Sequence, residues 1–570
     1  MNSFLCALIQ ADVTVGALST NADKILKLAR HAAEQGAQLV VFPELALSGY
    51  PPEDLVLKRH FLDDVEEQLQ RLARELPQDR VVIVGSPRFV DGNAYNCAVV
   101  FSGGEIKACY RKMLLPNYGV FDEKRVFAAG TRPLVIDIGA RFGIHICEDS
   151  WLPDEAPCMI LSGAGLDGLI NLSASPYFHG KLESRVKALG EAASRVGAPL
   201  LYCNLVGGQD DLVFDGASMI LAPAGVTLAR AKQFVEETLF VVLPAKPRFS
   251  NDDGTYDVVE IPMIGNFEPP KFQSLETNVV EPVLGDLEEV YSALKLGLHD
   301  YVEKNRFKKV IVALSGGIDS ALVAALAVDA LGKDRVVSIT MPSRFSSDET
   351  FNDARALAKN LGVELHIIPI RRLHQLFLAE LSPIFASHPP DAAEENIQAR
   401  VRGTLVMALS NKFGWLVLTT GNKSEMATGY CTLYGDMAGG FALIKDVPKV
   451  LVFELCRWRN KQGRKPIIPK SIIDRPPTAE LRANQKDSDS LPPYETLDPI
   501  LERYVERDLA ADQIIGDGFD AATVKRVIRL VDGNEYKRRQ GAPGIKITPK
   551  AFGRDRRLPI TNHYGERAKS

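Results

Sequence analysis

Paired cysteines are missing from this chain. Its 570 residues include eight cysteines, Cys6, Cys97, Cys109, Cys147, Cys158, Cys203, Cys431 and Cys456, and no two of them form a C-x-x-C pair. Neither a cysteine zinc site nor a disulfide framework is indicated, and a reducing cytoplasm is the expected home. Long apolar runs are missing too. The most hydrophobic later stretch, residues 310–331, is broken by Ser315, Gly316, Gly317, Asp319 and Ser320, which excludes a membrane span. The opening MNSFLCALIQADV has no basic lead before a long apolar segment, so it reads as a strand and not as a signal peptide. An excess of one charge is also absent. Lys and Arg number 67 against 72 Asp and Glu, a net charge of -5, which gives no field for holding a polyanion and argues against a nucleic-acid partner. The composition that remains, 46% hydrophobic and 24% charged with 44 Gly and 34 Pro, is that of a folded globular protein. At this length one hydrophobic core does not suffice.

Two patterns divide the chain. Up to about residue 245, short apolar runs (4–9, 39–42, 81–85, 98–101, 143–147, 168–172, 200–204, 219–222 and 239–243) alternate with a few helical stretches such as 21–35, which suggests an α/β sandwich over residues 1–245. Residues 246–284 are rich in Pro, Asp and Gly without sustained periodicity and read as a connector. From 285 to 570 the order becomes helix (287–303), strand (309–314), glycine turn, helix (320–331), strand (336–340), helix (348–361), strand (364–369). That order marks a doubly wound parallel sheet, whose ligands sit beyond the carboxyl ends of the strands. The segment from Tyr536 onward is basic and Pro/Gly-rich and is expected to be extended or looped.

Three segments of the first domain carry chemistry. In VVFPELALSGYPPEDL a buried-looking strand runs into Pro43 and Glu44, so Glu44 emerges partly desolvated, where a carboxylate becomes basic enough to serve as a general base. In CYRKMLLPNYGVFDEKRVF, Lys112 precedes a Leu-Leu-Pro turn. In FGIHICEDSWLPDE a strand ends at Cys147, and polar residues begin at Glu148, which sets the thiol at a sheet rim. A thiolate is a competent nucleophile, and a neighbouring ammonium both favours it and neutralises charge developing on the substrate.

Together these segments resemble the nitrilase, or carbon-nitrogen hydrolase, superfamily, with an αββα sandwich and a Glu-Lys-Cys triad that matches Glu44, Lys112 and Cys147 in order and context. The resemblance implies that Cys147 attacks an amide carbonyl, that Glu44 passes the thiol proton to the leaving amine and that Lys112 stabilises the oxyanion. A second glutamate of the family matches Glu123. In the branch that cleaves glutamine, the amino acid is contacted at positions matching Tyr50, Tyr118, Glu148, Ser175 and Lys181. Glu148 suits an α-ammonium, and Ser175 with Lys181 suits an α-carboxylate.

In the second domain, Ser315, Gly316, Gly317, Ile318, Asp319 and Ser320 lie between a short apolar strand and a helix. The G-K-[ST] ending of a Walker A loop is missing. Two glycines and two hydroxyls at a helix N-terminus still form an anion cradle. SGGIDS after a strand resembles the PP-loop of ATP pyrophosphatases. Further segments, holding Glu395, Asn396, Gln398 and Arg400, then Thr420, Asn422, Lys423, Glu425, Thr432, Asp436 and Lys445, then Thr478, Glu480, Gln485 and Asp487, resemble the NAD synthetase family across nearly all of residues 285–570. The resemblance implies Mg2+ on Asp319 and Glu425, ATP as co-substrate held by residues 315–320 with Thr420, Lys445 and Thr478, and deamido-NAD held by Asn396, Arg400, Asn422, Lys423 and Lys537.

The two resemblances explain each other. A hydrolase that frees ammonia from glutamine would supply a synthetase that otherwise meets protonated, non-nucleophilic ammonium in neutral water. The expected reaction is the ATP-dependent amidation of deamido-NAD, releasing AMP, pyrophosphate and glutamate. A homo-oligomer built on a dimer of synthetase parts is implied as well. Other PP-loop amidotransferases normally pair with glutaminases of another fold. A tRNA-modifying PP-loop enzyme would need a basic RNA-binding surface. An amide sensor would not need an intact Glu44, Lys112, Cys147 and Asp319.

Overall fold

The computed structural model describes residues 3–244, 254–263, 279–386, 388–482, 485–562 and 564. The chain divides into one compact unit made of Met1–Gln209 and Val213–Gly285 and a second made of Asp286–Ser570 with the short piece Asp210–Leu212.

In the first unit the apolar runs form two sheets. One has six strands in the order Glu237–Pro244, Ser3–Gln10, Leu39–Val41, Val81–Val90, Asn93–Ser102, Glu105–Arg111. The other has seven, in the order Thr227–Arg230, Met219–Leu221, Leu200–Asn204, Gly168–Ser173, Arg141–Ile146, Leu134–Asp137, Asp257–Glu260. Phe4, Cys6, Leu8, Val41 and Ile83 of the first sheet share one core with Ile144, Ile146, Ile170 and Leu172 of the second. Leu5, Ala7 and Ile9, which alternate with that inward set, are buried as well. Central strands buried on both faces are why the sequence shows continuous apolar runs instead of alternation. Helices Leu18–Glu34 and Arg59–Glu75 accompany the first sheet, and Ala156–Leu161 and Lys181–Val196 the second, which completes the αββα sandwich. Most of the expected connector (246–253 and 264–278) lies outside the described residues. Its portion Asp257–Glu260 pairs in parallel with Leu134–Asp137 as an edge strand of the second sheet.

The second unit is built on four parallel strands in the order Glu364–Ile367, Val336–Thr340, Val310–Ala313, Leu416–Leu418. The chain first winds outward in one direction from Val310–Ala313 and later adds Leu416–Leu418 on its other side, so the switch point falls beside the first strand. Open sheets of this kind bind ligands there. Helix Ile318–Leu331 follows at once, with Ala321–Ala327 fully buried. Helices near the C-terminus add a separate apolar cluster containing Leu497, Ile500, Val505, Ile514, Val524 and Ile528. The tail opens with one helical turn, Glu535–Arg538, where the sequence suggested extended chain, and only then loops.

Two glycines are required by close approach. A Cβ on Gly85 would lie 2.3 Å from the Leu45 nitrogen and 2.3 Å from the Pro43 carbonyl oxygen, so the loop carrying Glu44 rests directly on this residue. A Cβ on Gly316, whose φ is +81°, would lie 2.1 Å from the Thr350 carbonyl oxygen. Gly85→Ala is therefore expected to lower stability by about 1–3 kcal/mol and to displace Glu44. Urea unfolding should register the loss.

Candidate active sites

Glu44, Lys112, Glu123 and Cys147 meet in the first unit, all buried. Glu44 leaves strand Leu39–Val41 through Phe42 and Pro43, and Lys112 follows strand Glu105–Arg111. The Lys112 ammonium donates to Glu44 Oε1 at 2.8 Å and to the two oxygens of Glu123 at 2.9 and 2.8 Å. The Tyr50 hydroxyl donates to Glu123 Oε1 at 2.9 Å. Glu44 is enclosed more completely than a strand-end position suggested. Its Oε1 also accepts from Asn96 Nδ2 at 2.8 Å, and its Oε2 from the Ala174 N–H at 2.9 Å.

Burial opposes charge on Lys112, but the carboxylates of Glu123 and Glu44 outweigh it and hold the ammonium protonated well above its usual range. Burial raises Glu123, against the pull of Lys112. The Cys147 thiol is pushed up by burial and by the negative charge of Glu44, more strongly than Lys112 pulls it down. The sulfur is therefore held toward its neutral thiol form, so a base must take its proton, the role the resemblance gives to Glu44.

Cys147 opens the 3-10 turn Cys147–Ser150 with φ 43°, and Leu45, next to Glu44, has φ 49°. Left-handed backbone at non-glycine residues costs energy and persists where neighbours over-determine it. Those neighbours are visible. Asp149 accepts from the Ile146 N–H at 3.0 Å and the Tyr110 hydroxyl at 2.8 Å, and also from the Met113 and Leu114 N–H groups at 3.2 and 2.8 Å. One carboxylate thus straps the backbone after Lys112 to the turn bearing Cys147. Asn171 Nδ2 donates to the Cys147 carbonyl at 3.2 Å and to Ser150 Oγ at 2.7 Å, and His145 Nδ1 lies 3.0 Å from the same Oγ. Sequence reasoning missed Asn96 and Asp149. For Asn96 the available signal was a polar side chain inside the strand Asn93–Ser102.

Of the residues expected to hold glutamine, Tyr118 donates to both oxygens of Glu148 at 3.0 Å. Burial raises the pKa of Glu148. Ser175 is buried, and its N–H donates to Asn204 Oδ1 at 3.0 Å. The Lys181 ammonium donates to the Pro176 carbonyl at 2.8 Å and lies 5.4 Å from the centre of the Trp151 ring.

The second unit contains a cavity of about 850 Å³ at the switch point. Residues 315–320 line it, joined by Thr420, Glu425, Asn396, Thr478 and Lys537. The turn is braced from within: Gly317 N–H donates to Ser315 Oγ at 3.1 Å, and Ser320 Oγ donates to the Gly317 carbonyl at 2.9 Å. No side chain caps helix Ile318–Leu331, whose first residues line the cavity, and uncapped N–H groups at a helix start suit an anion. Asp319 Oδ1 accepts from Asn422 Nδ2 at 2.9 Å. Lys449 Nζ donates to Asp319 Oδ2 at 2.5 Å and to Glu425 Oε1 at 3.3 Å. Burial raises the Glu425 carboxyl above its usual range, against the pull of Lys449.

Four expected residues stand elsewhere. Lys445 turns to the Ala542 carbonyl at 2.8 Å, and Lys449, four positions on and absent from the expected set, enters the cavity instead. Lys423 is buried against Glu506 at 2.7 Å and Asp446 at 2.9 Å, outside the cavity lining. Arg400 is exposed and bonds the Leu433 carbonyl at 3.3 Å, while Arg402 lines the cavity. Asn422 acts from behind, capping helix Lys423–Thr428 while holding Asp319.

A buried cluster of thiol, ammonium and carboxylates in one unit and a glycine turn at a helix start lining a cavity in the other are the arrangement of a two-domain enzyme of the amide-handling class. The carbon-nitrogen hydrolase family matches residues 5–246 and the NAD synthase family residues 290–541. The glutamine-dependent NAD(+) synthetase of Thermotoga maritima is 46% identical, covering 99% of this chain and 100% of that protein, and that of Synechocystis is 45% identical over 98% and 99%. The solved structure of glutamine-dependent NAD+ synthetase from Acinetobacter baumannii in complex with ADP matches with a TM-score of 0.74 at 41% identity, covering 99% of this chain and 100% of that one. The chain belongs to the glutamine-dependent NAD(+) synthetase family.

Two outcomes test the first site. Lys112→Ala leaves two carboxylates buried without a counter-charge and should cost about 3–5 kcal/mol in urea unfolding. His145 is held neutral by burial, with its pKa lowered to about 3. As pH falls below about 6.5 the unfolded chain takes up a proton that the folded one refuses until about pH 3. Stability is therefore lost across that window, and His145→Gln should flatten the acid slope of the unfolding midpoint.

Proposed function

We propose that this protein makes NAD by amidating deamido-NAD at the expense of ATP, with nitrogen taken from glutamine. The observation that carries the reading is the survival of both reaction centres in a chain that spans the whole length of its relatives. Cys147 Sγ attacks the glutamine amide carbon as Glu44 accepts the thiol proton. Lys112, fixed by Glu123 and Tyr50, faces the developing oxyanion with its charge already in place, so no reorganisation is needed during the step. Glu44 returns the proton to departing ammonia, and water then releases glutamate from the thioester. Tyr118 and Glu148 on one side and Ser175 and Lys181 on the other are the groups we assign to the ends of the amino acid.

In the second reaction the nicotinate carboxylate oxygen attacks the α-phosphorus of ATP and pyrophosphate leaves. Ammonia then adds to the carboxyl carbon, and AMP departs. The N–H groups of residues 315–320 hold phosphate oxygens, and Lys449 is the cation we assign beside them in place of Lys445. Asn396, Thr420, Thr478 and Lys537 are the remaining contacts proposed from the cavity wall.

Asp319 and Glu425 suit magnesium, because both present oxygens to the cavity and hard cations prefer oxygen. Among the described residues no three acidic, histidine or cysteine side chains gather into a metal site. When bound, such an ion would neutralise charge on the phosphates. Leu376, Phe377, Ile384 and Phe413 are exposed on helices Arg371–Phe385 and Ala392–Phe413, which supports a second copy of the chain as partner. All eight cysteines are free, in keeping with a cytoplasmic location.

Incubation with glutamine, ATP and deamido-NAD should yield NAD, AMP and pyrophosphate in equal amounts. Cys147→Ala should lose glutamine use yet keep synthesis from ammonia, and Asp319→Ala should lose synthesis from either donor. A folded Cys147→Ala protein inactive with both donors would contradict the assignment.

A further inference from the structure

The lysine that joins Asp319 to Glu425 is itself set in place by groups that never reach the cavity. Lys449 is the first residue of helix Lys449–Gln462, where backbone N–H groups have no partner within the helix, and the preceding Pro448 offers no side-chain cap. Two outside groups fill that role. The Lys449 N–H donates to Ser424 Oγ at 2.9 Å, and the next N–H, of Val450, donates to Asp498 Oδ2 at 2.9 Å. The Ser424 hydroxyl donates in turn to Asp498 Oδ1, so both oxygens of one carboxylate are used. Ser424 is fully buried, Lys449 is 2% exposed and Asp498 9%.

The chain position of Ser424 gives this clamp its meaning. Ser424 immediately precedes Glu425 in helix Lys423–Thr428, so its hydroxyl fixes the backbone of Lys449 relative to the backbone of the carboxylate that Lys449 binds. Asp498 comes from a third element, Tyr494–Leu501, whose Leu497 and Ile500 are anchored in an apolar cluster of their own. A rigid core thus reaches, through one carboxylate and one hydroxyl, to the placement of a cation at the phosphate cradle.

We propose that Asp498, acting through Ser424, is a positioning residue for the nucleotide chemistry, setting Lys449 Nζ where it can serve Asp319, Glu425 and the phosphates together. This rests on the reading of the cavity as the ATP site. The geometric demand is strict, because displacing a catalytic group by about 1 Å costs on the order of 100-fold in rate.

The experiment uses the full-length enzyme and compares Asp498→Asn, Ser424→Ala and Lys449→Arg, with both double variants that include Lys449→Arg. Readouts are synthesis from ammonia, resolved into kcat and KM for ATP, glutamine hydrolysis, and urea unfolding. Asp498→Asn should lower the kcat of synthesis about 10- to 100-fold with glutamine hydrolysis unchanged. Because it acts through Lys449, its effect in the Lys449→Arg background should shrink at least about fivefold. Ser424→Ala should behave alike, which covers the case in which Asp498→Asn fails to fold. Losses that multiply independently of Lys449, or a parental rate in either clamp variant, overturn the proposal. With Lys449→Ala added as a control, a normal kcat of synthesis and a normal KM for ATP in that variant would instead refute the reading of the cavity.

Discussion

A single ammonium enclosed between two carboxylates governs the first unit. Lys112 and Glu44 are wholly enclosed, and Glu123 is nearly so. Charges cannot be buried in this way unless each is paired and its remaining hydrogen-bond capacity is met. Asn96 and the Ala174 N–H complete Glu44, and Tyr50 completes Glu123. The sandwich supplies these partners from strands far apart in sequence, and its two-sided core keeps them from shifting. The same enclosure that makes the cluster costly also pushes the Cys147 thiol toward its neutral form.

The second unit solves a different problem with similar means. Its cradle is made of backbone N–H groups, which carry no net charge, and the carboxylates beside it are balanced by Lys449. In both units a residue with chemical work to do follows directly after a strand whose apolar side chains leave no choice about where it lies. Strand ends deliver reactive groups to an opening while the strands themselves stay in the core.

That arrangement explains which parts were legible in advance. Cys147, Glu44 and the SGGIDS turn each announce themselves by a polar residue following an apolar run, so their elements and approximate surroundings could be read locally. Lys445 and Lys449 could not be told apart in this way. Both are lysines in the same short stretch, and only long-range bonds decide which one enters the cavity. Lys423 belongs to a motif and is nonetheless held by Asp446 and Glu506, residues with no sequence signal linking them to it. Asp149 was passed over because its partners are three backbone N–H groups and the Tyr110 hydroxyl, drawn from two segments, and a spacing pattern does not record a strap. The edge strand Asp257–Glu260 was read as connector because a single four-residue strand is too short to show a period.

Helix Ile318–Leu331, which begins at the SGGIDS turn, is apolar and fully enclosed on every side over Ala321–Ala327. A rod with no wet face has no direction in which it can slide or roll without opening a void. The loop at its head therefore inherits the stiffness of the whole unit, and accommodation of differently sized ligands has to fall to the opposite wall of the cavity.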